Sequence, residues 1–271
     1  MKLSLHTDIK TLSVKFKLKN IERATNESIM FLLAIVNSYK NESIKNIHYS
    51  GDVPIKESVK RMFIESGFLN YCRTNNMGNL QTSENKIQIK YGNGYYKPND
   101  FISVYDWISR DINVAKHYTK DLSGIINEII GNAVEHAYPK SNNNFKQKNW
   151  YFYAEKKEKH IEFIALDPGV GMPQTMKKNF FEKIFQWTLN TDAKLIESAL
   201  LGIFRTKTEE RNRGNGLPKI YNSVVKGKIS NLQILSQKGY CFIEKNGNIF
   251  TENKHKGFPG TLYKWELKVE E

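Results

Sequence analysis

The stretch IINEIIGNAVEHAYP, residues 125–139, decides the fold. Its isoleucines, with Ala133 and Val134, give a helix with a core-bound face, yet Glu128, Asn132 and His136 stand four residues apart. At 3.6 residues per turn such positions lie on one side, each rotated by about 40° from the last. Three polar groups therefore project in one direction from an apolar helix. The stripe is either a solvated edge or the lining of a site.

Outward from this helix the pattern is that of a mixed α/β chain. A long helix is expected from residue 108 to Tyr138, stopped by Pro139, which cannot continue it. Residues 150–154 and 160–166 read as strands divided by the charged turn 155–159. Residues 180–204 are helical in character, 217–225 give another helix, and 231–236, 240–244 and 261–267 are strand candidates. On the N-terminal side, residues 29–39 suit a helix, 45–49 a strand and 50–54 (SGDVP) a turn. Pro54 suits the start of a helix, which 58–65 continue and Gly67 ends. Residues 74–99 are rich in Asn, Gly and Ser and read as a connection, with one hairpin around 86–96. The expected organisation is a small α/β domain over 1–75, a linker over 76–109 and a larger domain over 110–271.

With 39% hydrophobic and 25% charged residues in 271, the chain has the composition of a soluble globular protein. Its longest apolar run, residues 29–36, is far short of the ~20 residues a membrane span needs. No export-signal pattern marks the first twenty residues, so a cytoplasmic location is expected. Cys72 and Cys241 are the only cysteines and form no zinc or disulfide pattern. The formal charge of +13 admits a nucleic acid, an anionic membrane or an acidic protein as partner. The excess is spread along the chain, with 16 basic and 10 acidic residues in 1–110 and 25 and 18 in 111–271. No basic tail or basic helix concentrates it, so nucleic acid is not the favoured partner.

Three further features follow the opening helix. DPGVGM, residues 167–172, puts an acidic residue at a strand end before two glycines, where backbone and ligand can approach closely. RGNGL, residues 213–217, precedes an apolar helix whose free N-terminal amides could hold phosphate. GTLY, residues 260–263, leads into the last strand. Each alone reads equally as an ordinary turn or loop.

Together, in this order, they resemble the nucleotide-binding domain of the GHKL superfamily, which includes DNA gyrase, the large heat-shock chaperone, sensor histidine kinases and MutL-type repair ATPases. The motif pattern is most similar to that of the anti-sigma-type serine kinases. The resemblance covers about residues 110–271 and implies an α/β sandwich in which a mixed sheet packs against helices and ATP lies between helix and lid. It implies that Asn132 binds Mg2+ and that Asp167 accepts a hydrogen bond from the adenine amino group. Gly169 and Gly171 would make room for the base, with Met172 beside them. Gly214, Gly216 and Leu217 would offer lid amides to the phosphates, Arg213 would neutralise phosphate charge, and Thr261 would support the adenine through a water shared with Asp167. Glu128 takes the place of the general base. The role of His136 stays open between packing and support of the site.

The implied activity is ATP hydrolysis or phosphorylation of a Ser/Thr on a regulatory protein partner. A nucleotide-gated binding module with little turnover is the alternative. The N-terminal unit is similar, over about 70 residues, to the STAS-like modules of anti-anti-sigma proteins, notably in SGDVP (50–54) and ESGF (65–68). Many relatives are dimers, so a homodimer is among the expectations.

Overall fold

The computed structural model describes residues 11–38, 46–71, 83–94, 96–110, 116–138, 148–179, 191–203 and 216–269. The chain divides into two compact units, Met1–Ile89 and Lys90–Glu271.

In the first unit, strands β1 (Thr11–Phe16) and β2 (Asn46–Gly51) pair in parallel, with helix α1 (Asn26–Ser38) between them in sequence. A parallel pair needs such a crossover, because a tight hairpin can join only antiparallel strands. Ile29, Leu33 and Val36 of α1, with Met30 and Ala34 beside them, are buried at the 3–4-residue spacing of one helical face. Helices α2 (Glu57–Glu65) and α3 (Phe68–Tyr71) follow, separated by Gly67 at φ +77°. Phe68 meets Phe16 and Phe63 edge-on, with ring centroids 5.5 and 5.2 Å apart. Such edge-to-face pairs add to the area each ring buries. Asp52 accepts the backbone N–H of Lys19 at 2.8 Å and so ties the turn after β2 to the turn after β1.

The second unit holds four strands of a five-stranded sheet of order β3-β4-β5-β7-β6, whose edge strand β3 runs across the boundary at Ile89. The strands of the sheet are β3 (Lys86–Asn93), β4 (Asn149–Lys156), β5 (His160–Asp167), β6 (Ser230–Ile243) and β7 (Ile249–Lys268). The pairs β4–β5, β5–β7 and β7–β6 are all antiparallel, where the resemblance led us to expect a mixed sheet. Helices α4 (Ile102–Ser109), α5 (Lys116–Glu135), α6 (Met172–Asn179), α7 (Asp192–Leu200) and α8 (Gly216–Val225) complete the unit. Helix α5 lies against β4 and β5, α7 against β6 and β7, and α8 against α5 and β6.

The core explains the strand choice. In β4 and β5 nearly every residue is buried, and the sequences NWYFYAEK and HIEFIALD are dominated by aromatic and aliphatic side chains. Phe163 stacks on Trp265, its register partner on β7, at 5.3 Å, and Phe152 packs against both. Phe101, at the end of a 3-10 turn (Pro98–Phe101), stacks on Trp150 at 5.4 Å and meets Phe152 edge-on at 4.9 Å.

Several boundaries differ from the sequence expectation. The stretch 76–109, expected as a linker, holds β3, the 3-10 turn and α4, while 72–82 lie outside the described residues. The long helix expected from residue 108 is two helices, α4 ending at Ser109 and α5 beginning at Lys116; Pro139 lies outside the described residues. The two short strands expected over 231–244 are one strand, and β7 begins twelve residues before the expected 261. Of the helical stretch expected over 180–204, residues 180–190 and 204 lie outside the described residues, and within the rest α7 covers Asp192–Leu200, capped by Thr191 and followed by a turn. No helix among the described residues is long and apolar enough to cross a membrane.

Candidate functional site

Helix α5 buries Leu122, Ile125, Ile126, Ile129, Ile130 and Ala133, which turns the opposite strip toward α8. Its C-terminal end is held by three contacts. Lys148 Nζ donates to the Val134 carbonyl at 2.9 Å, Val170 N–H to the Ala137 carbonyl at 2.9 Å, and the Tyr138 hydroxyl to the Asn149 carbonyl at 2.5 Å. A lysine on the last carbonyls also complements the helix dipole.

Within the strip, Glu128 and Asn132 face the first turn of α8. A Cβ built on Gly216 would stand 2.5 Å from Glu128 Oε2 and 3.6 Å from Asn132 Nδ2. A side chain at position 216 would displace the Glu128 carboxylate from its place beside the start of α8. Glu128 Oε1 accepts a hydrogen bond from Lys219 Nζ, three residues along from Gly216 on α8, at 2.6 Å. Asn132 Nδ2 is buried and has no hydrogen-bond partner among the described residues. Leu217, the next residue of α8, is half-buried in the same turn. Arg213 and Gly214 lie outside the described residues.

His136 is not part of this group. Its side chain is 56% exposed, and its nearest charged partner is Glu135 at 3.8 Å. Two successive steps of about 40° have carried it well round the helix from Glu128.

Just past the C-terminal end of α5, where Gly169 and Val170 meet Ala137, Asp167 closes β5 and is 4% exposed. Its Oδ1 accepts the Gly169 N–H at 3.0 Å, and its carboxyl also takes hydrogen bonds from the side chain and backbone of Thr261, its register partner on β7. Gly169 is required because a Cβ there would overlap the Ala137 carbonyl and crowd Asp167 Oδ1. Gly171, at φ +84°, lies against Gln237 and Ser236, and the Gln237 amide donates to the Val170 carbonyl at 2.7 Å.

Ser236 is the residue the sequence did not disclose. Fully buried, its hydroxyl accepts the Met172 N–H at 2.9 Å, donates to the Gly260 carbonyl at 2.8 Å and lies 3.1 Å from Thr261 Oγ1. It thereby joins the DPGVGM turn to the GTLY segment. Nothing local marks Ser236 or Gln237: their positions depend on the irregular register of β6 on β7 around them.

Burial pushes the Asp167 carboxyl up to about 7, against the hydrogen bonds from Gly169 and Thr261, which lower it. The consequence for stability has a definite sign. Between about pH 4 and pH 7 the folded protein keeps a proton that the unfolded chain has released, so stability falls as pH rises and levels off above pH ~7. We expect urea midpoints of the wild type to fall across this window and the Asp167→Asn variant, with no proton to lose there, to fall less. Parallel curves for the two proteins would refute the assignment.

Chemically, the polar strip of α5 and the turn packed just past its C-terminus offer different things. Glu128 supplies a carboxylate and Asn132 an amide group beside a helix N-terminus. Asp167 supplies a buried acceptor held by glycine turns. Among the described residues there is no cluster of three His, Cys, Asp or Glu side chains to hold a metal. A hard cation takes oxygen ligands, and Asn132 presents its Nδ2 to this turn, so its amide oxygen would hold such a cation only with the amide group turned over. No protein-family model matches the chain, and no curated protein matches it either.

Proposed function

We propose that the chain is a Mg-ATP-binding protein of the GHKL type, with the two-layer α/β sandwich of that superfamily in its second unit. On this reading it hydrolyses ATP or transfers the terminal phosphate to a Ser/Thr of a regulatory partner. The observation that carries the reading is the approach of Gly216 at the start of α8 to Glu128 and Asn132 on α5. The described parts of the four sequence features form two groups, Gly216 with Glu128 and Asn132, and residues 167–172 with Gly260 and Thr261 just past the end of α5. Ala137, which Gly169 touches, stands nine positions after Glu128 and two past the end of α5, a span of about 13 Å if the helical rise is continued. An adenine at the Asp167 end and a terminal phosphate at the Glu128 end suit that span.

In this scheme Asp167, Gly169, Gly171, Met172 and Thr261 form the base pocket, and the first turn of α8 with Gly214 and Arg213 receives the phosphates. Bound Mg2+, held by Asn132, would supply positive charge to the phosphate oxygens. Glu128 takes the proton of a water or hydroxyl as its oxygen attacks the terminal phosphorus, and the bond to the ADP oxygen breaks. The proton then passes from Glu128 to solvent. The N-terminal unit, with its β-α-β start, suits the partner-switching role that its STAS-like features suggest.

Calorimetric titration with Mg-ATP tests the reading. Saturable binding is expected, weakened tenfold or more by Asp167→Asn, because one hydrogen bond to a charged acceptor is worth about 1.5–3 kcal/mol. Absence of saturable binding to the wild type overturns it. One observation favours the second reading, a nucleotide-gated binding module: Glu128 is engaged by Lys219, so a bound nucleotide could rearrange α8 without turnover.

A further inference from the structure

Lys219 belongs to none of the motifs that point to nucleotide, yet it makes the direct polar contact to Glu128. Its amine crosses from α8 to α5 over 91 residues of sequence to reach Oε1 at 2.6 Å. The Lys219 side chain is 64% exposed and that of Glu128 28% exposed. An ion pair this open contributes little to stability, because water and salt screen it and ordering the side chain costs entropy. Fold stability is therefore a poor explanation for its position.

The charges around Glu128 give a better one. A carboxylate that serves as base beside a terminal phosphate repels that phosphate, so the pair needs a cation between them. Of the two other acidic side chains of α5, Asp121 has its own partner in Lys228 at 2.6 Å, and Glu135 lies 3.8 Å from His136. An ammonium group carries three donors on a flexible four-carbon stem. The hydrogen bond to Glu128 uses one, and the exposed side of the group leaves room for an anion on the others. Lys219 also stands on the first turn of α8, where the helix dipole favours negative charge.

We propose that Lys219 is the residue that distinguishes a nucleoside triphosphate from a diphosphate at this site. The inference rests on the nucleotide reading above. The phosphate next to Glu128 is the one whose attacking oxygen the base must reach, which is the terminal one. Lys219 bridges that phosphate and the carboxylate, and a diphosphate places no anion between them.

The test uses the full chain with Mg2+, a non-hydrolysable triphosphate analogue of ATP, and ADP, each titrated calorimetrically. Lys219→Met is expected to bind the analogue at least tenfold more weakly while its ADP affinity stays within twofold of the wild type. Lys219→Arg is expected to recover most of the loss, since it restores the cation. A thermal melt accompanies each variant, and the melting temperatures are expected to match the wild type within a few degrees. If the analogue and ADP weaken together, or neither changes, Lys219 is only a surface partner of Glu128 and the proposal falls. A variant whose melt collapses assigns Lys219 to structure and also overturns it. A wild type that binds neither nucleotide overturns the nucleotide reading itself, a result distinct from the others.

Discussion

Alanine at position 260 is expected to destabilise the protein by about 4 kcal/mol, one of the largest effects available from a single methyl group. Two costs combine. Gly260 has φ +100°, a conformation that side chains rarely adopt and that costs about 1–3 kcal/mol. Its Cβ would also overlap the Asp167 carbonyl oxygen across the β5–β7 pair, and overpacking of this kind costs about 1–3 kcal/mol more. Backbone on backbone leaves no flexible side chain to give way. Gly227 supplies the control: its φ is +70°, but a Cβ there meets nothing within 4 Å. Gly227→Ala should therefore cost only about 1–2 kcal/mol, the strain of the left-handed conformation alone. Urea denaturation of the two variants measures the difference. Equal losses would show that the close approach at Gly260 is not real. The functional consequence follows from Ser236, whose hydroxyl donates to the Gly260 carbonyl: a displaced Gly260 carries Thr261 away from Asp167.

What the sequence disclosed and what it hid divide along a physical line. Helix α5 was legible because its apolar residues recur at helical spacing and its polar residues share a strip. The same spacing misled at His136, since a four-residue step overshoots a turn and the offset accumulates. Strand β5 and its acidic end were legible because turn residues follow directly. The extended β6–β7 hairpin was not. The first half of β7, IFTENKHKGF, is polar and largely exposed, so its strand character comes from pairing with β6 rather than from an alternation of its own. Helix α4 hid inside an apparent linker because Val104 and Ile108 are its only buried residues. Lys219, Ser236 and Gln237 were invisible for one shared reason: each matters through a partner more than 20 residues away, which local pattern does not encode.

Removing the carboxylate of Glu128 should separate binding from chemistry. With Glu128→Ala, Mg-ATP affinity is expected to stay within a few-fold of the wild type or to tighten, because a negative charge beside the phosphates is gone. Phosphate release or phosphotransfer should drop about 10²–10⁴-fold, the range that a positioned general base supplies. The substitution is tolerable to the fold, because Glu128 is partly exposed and its carboxylate makes an open ion pair. It does strand Lys219, whose amine becomes free to pair wholly with phosphate. Single-turnover assays are the suitable measurement, since they report the chemical step without product release. Unchanged turnover in the variant would remove Glu128 as base while leaving the nucleotide site intact. Tight binding with no turnover in the wild type would assign the Lys219–Glu128 pair to a gate, in which nucleotide draws the lysine from the carboxylate and α8 from α5. The two outcomes differ in the wild type alone, so the variant is interpreted only after that first measurement.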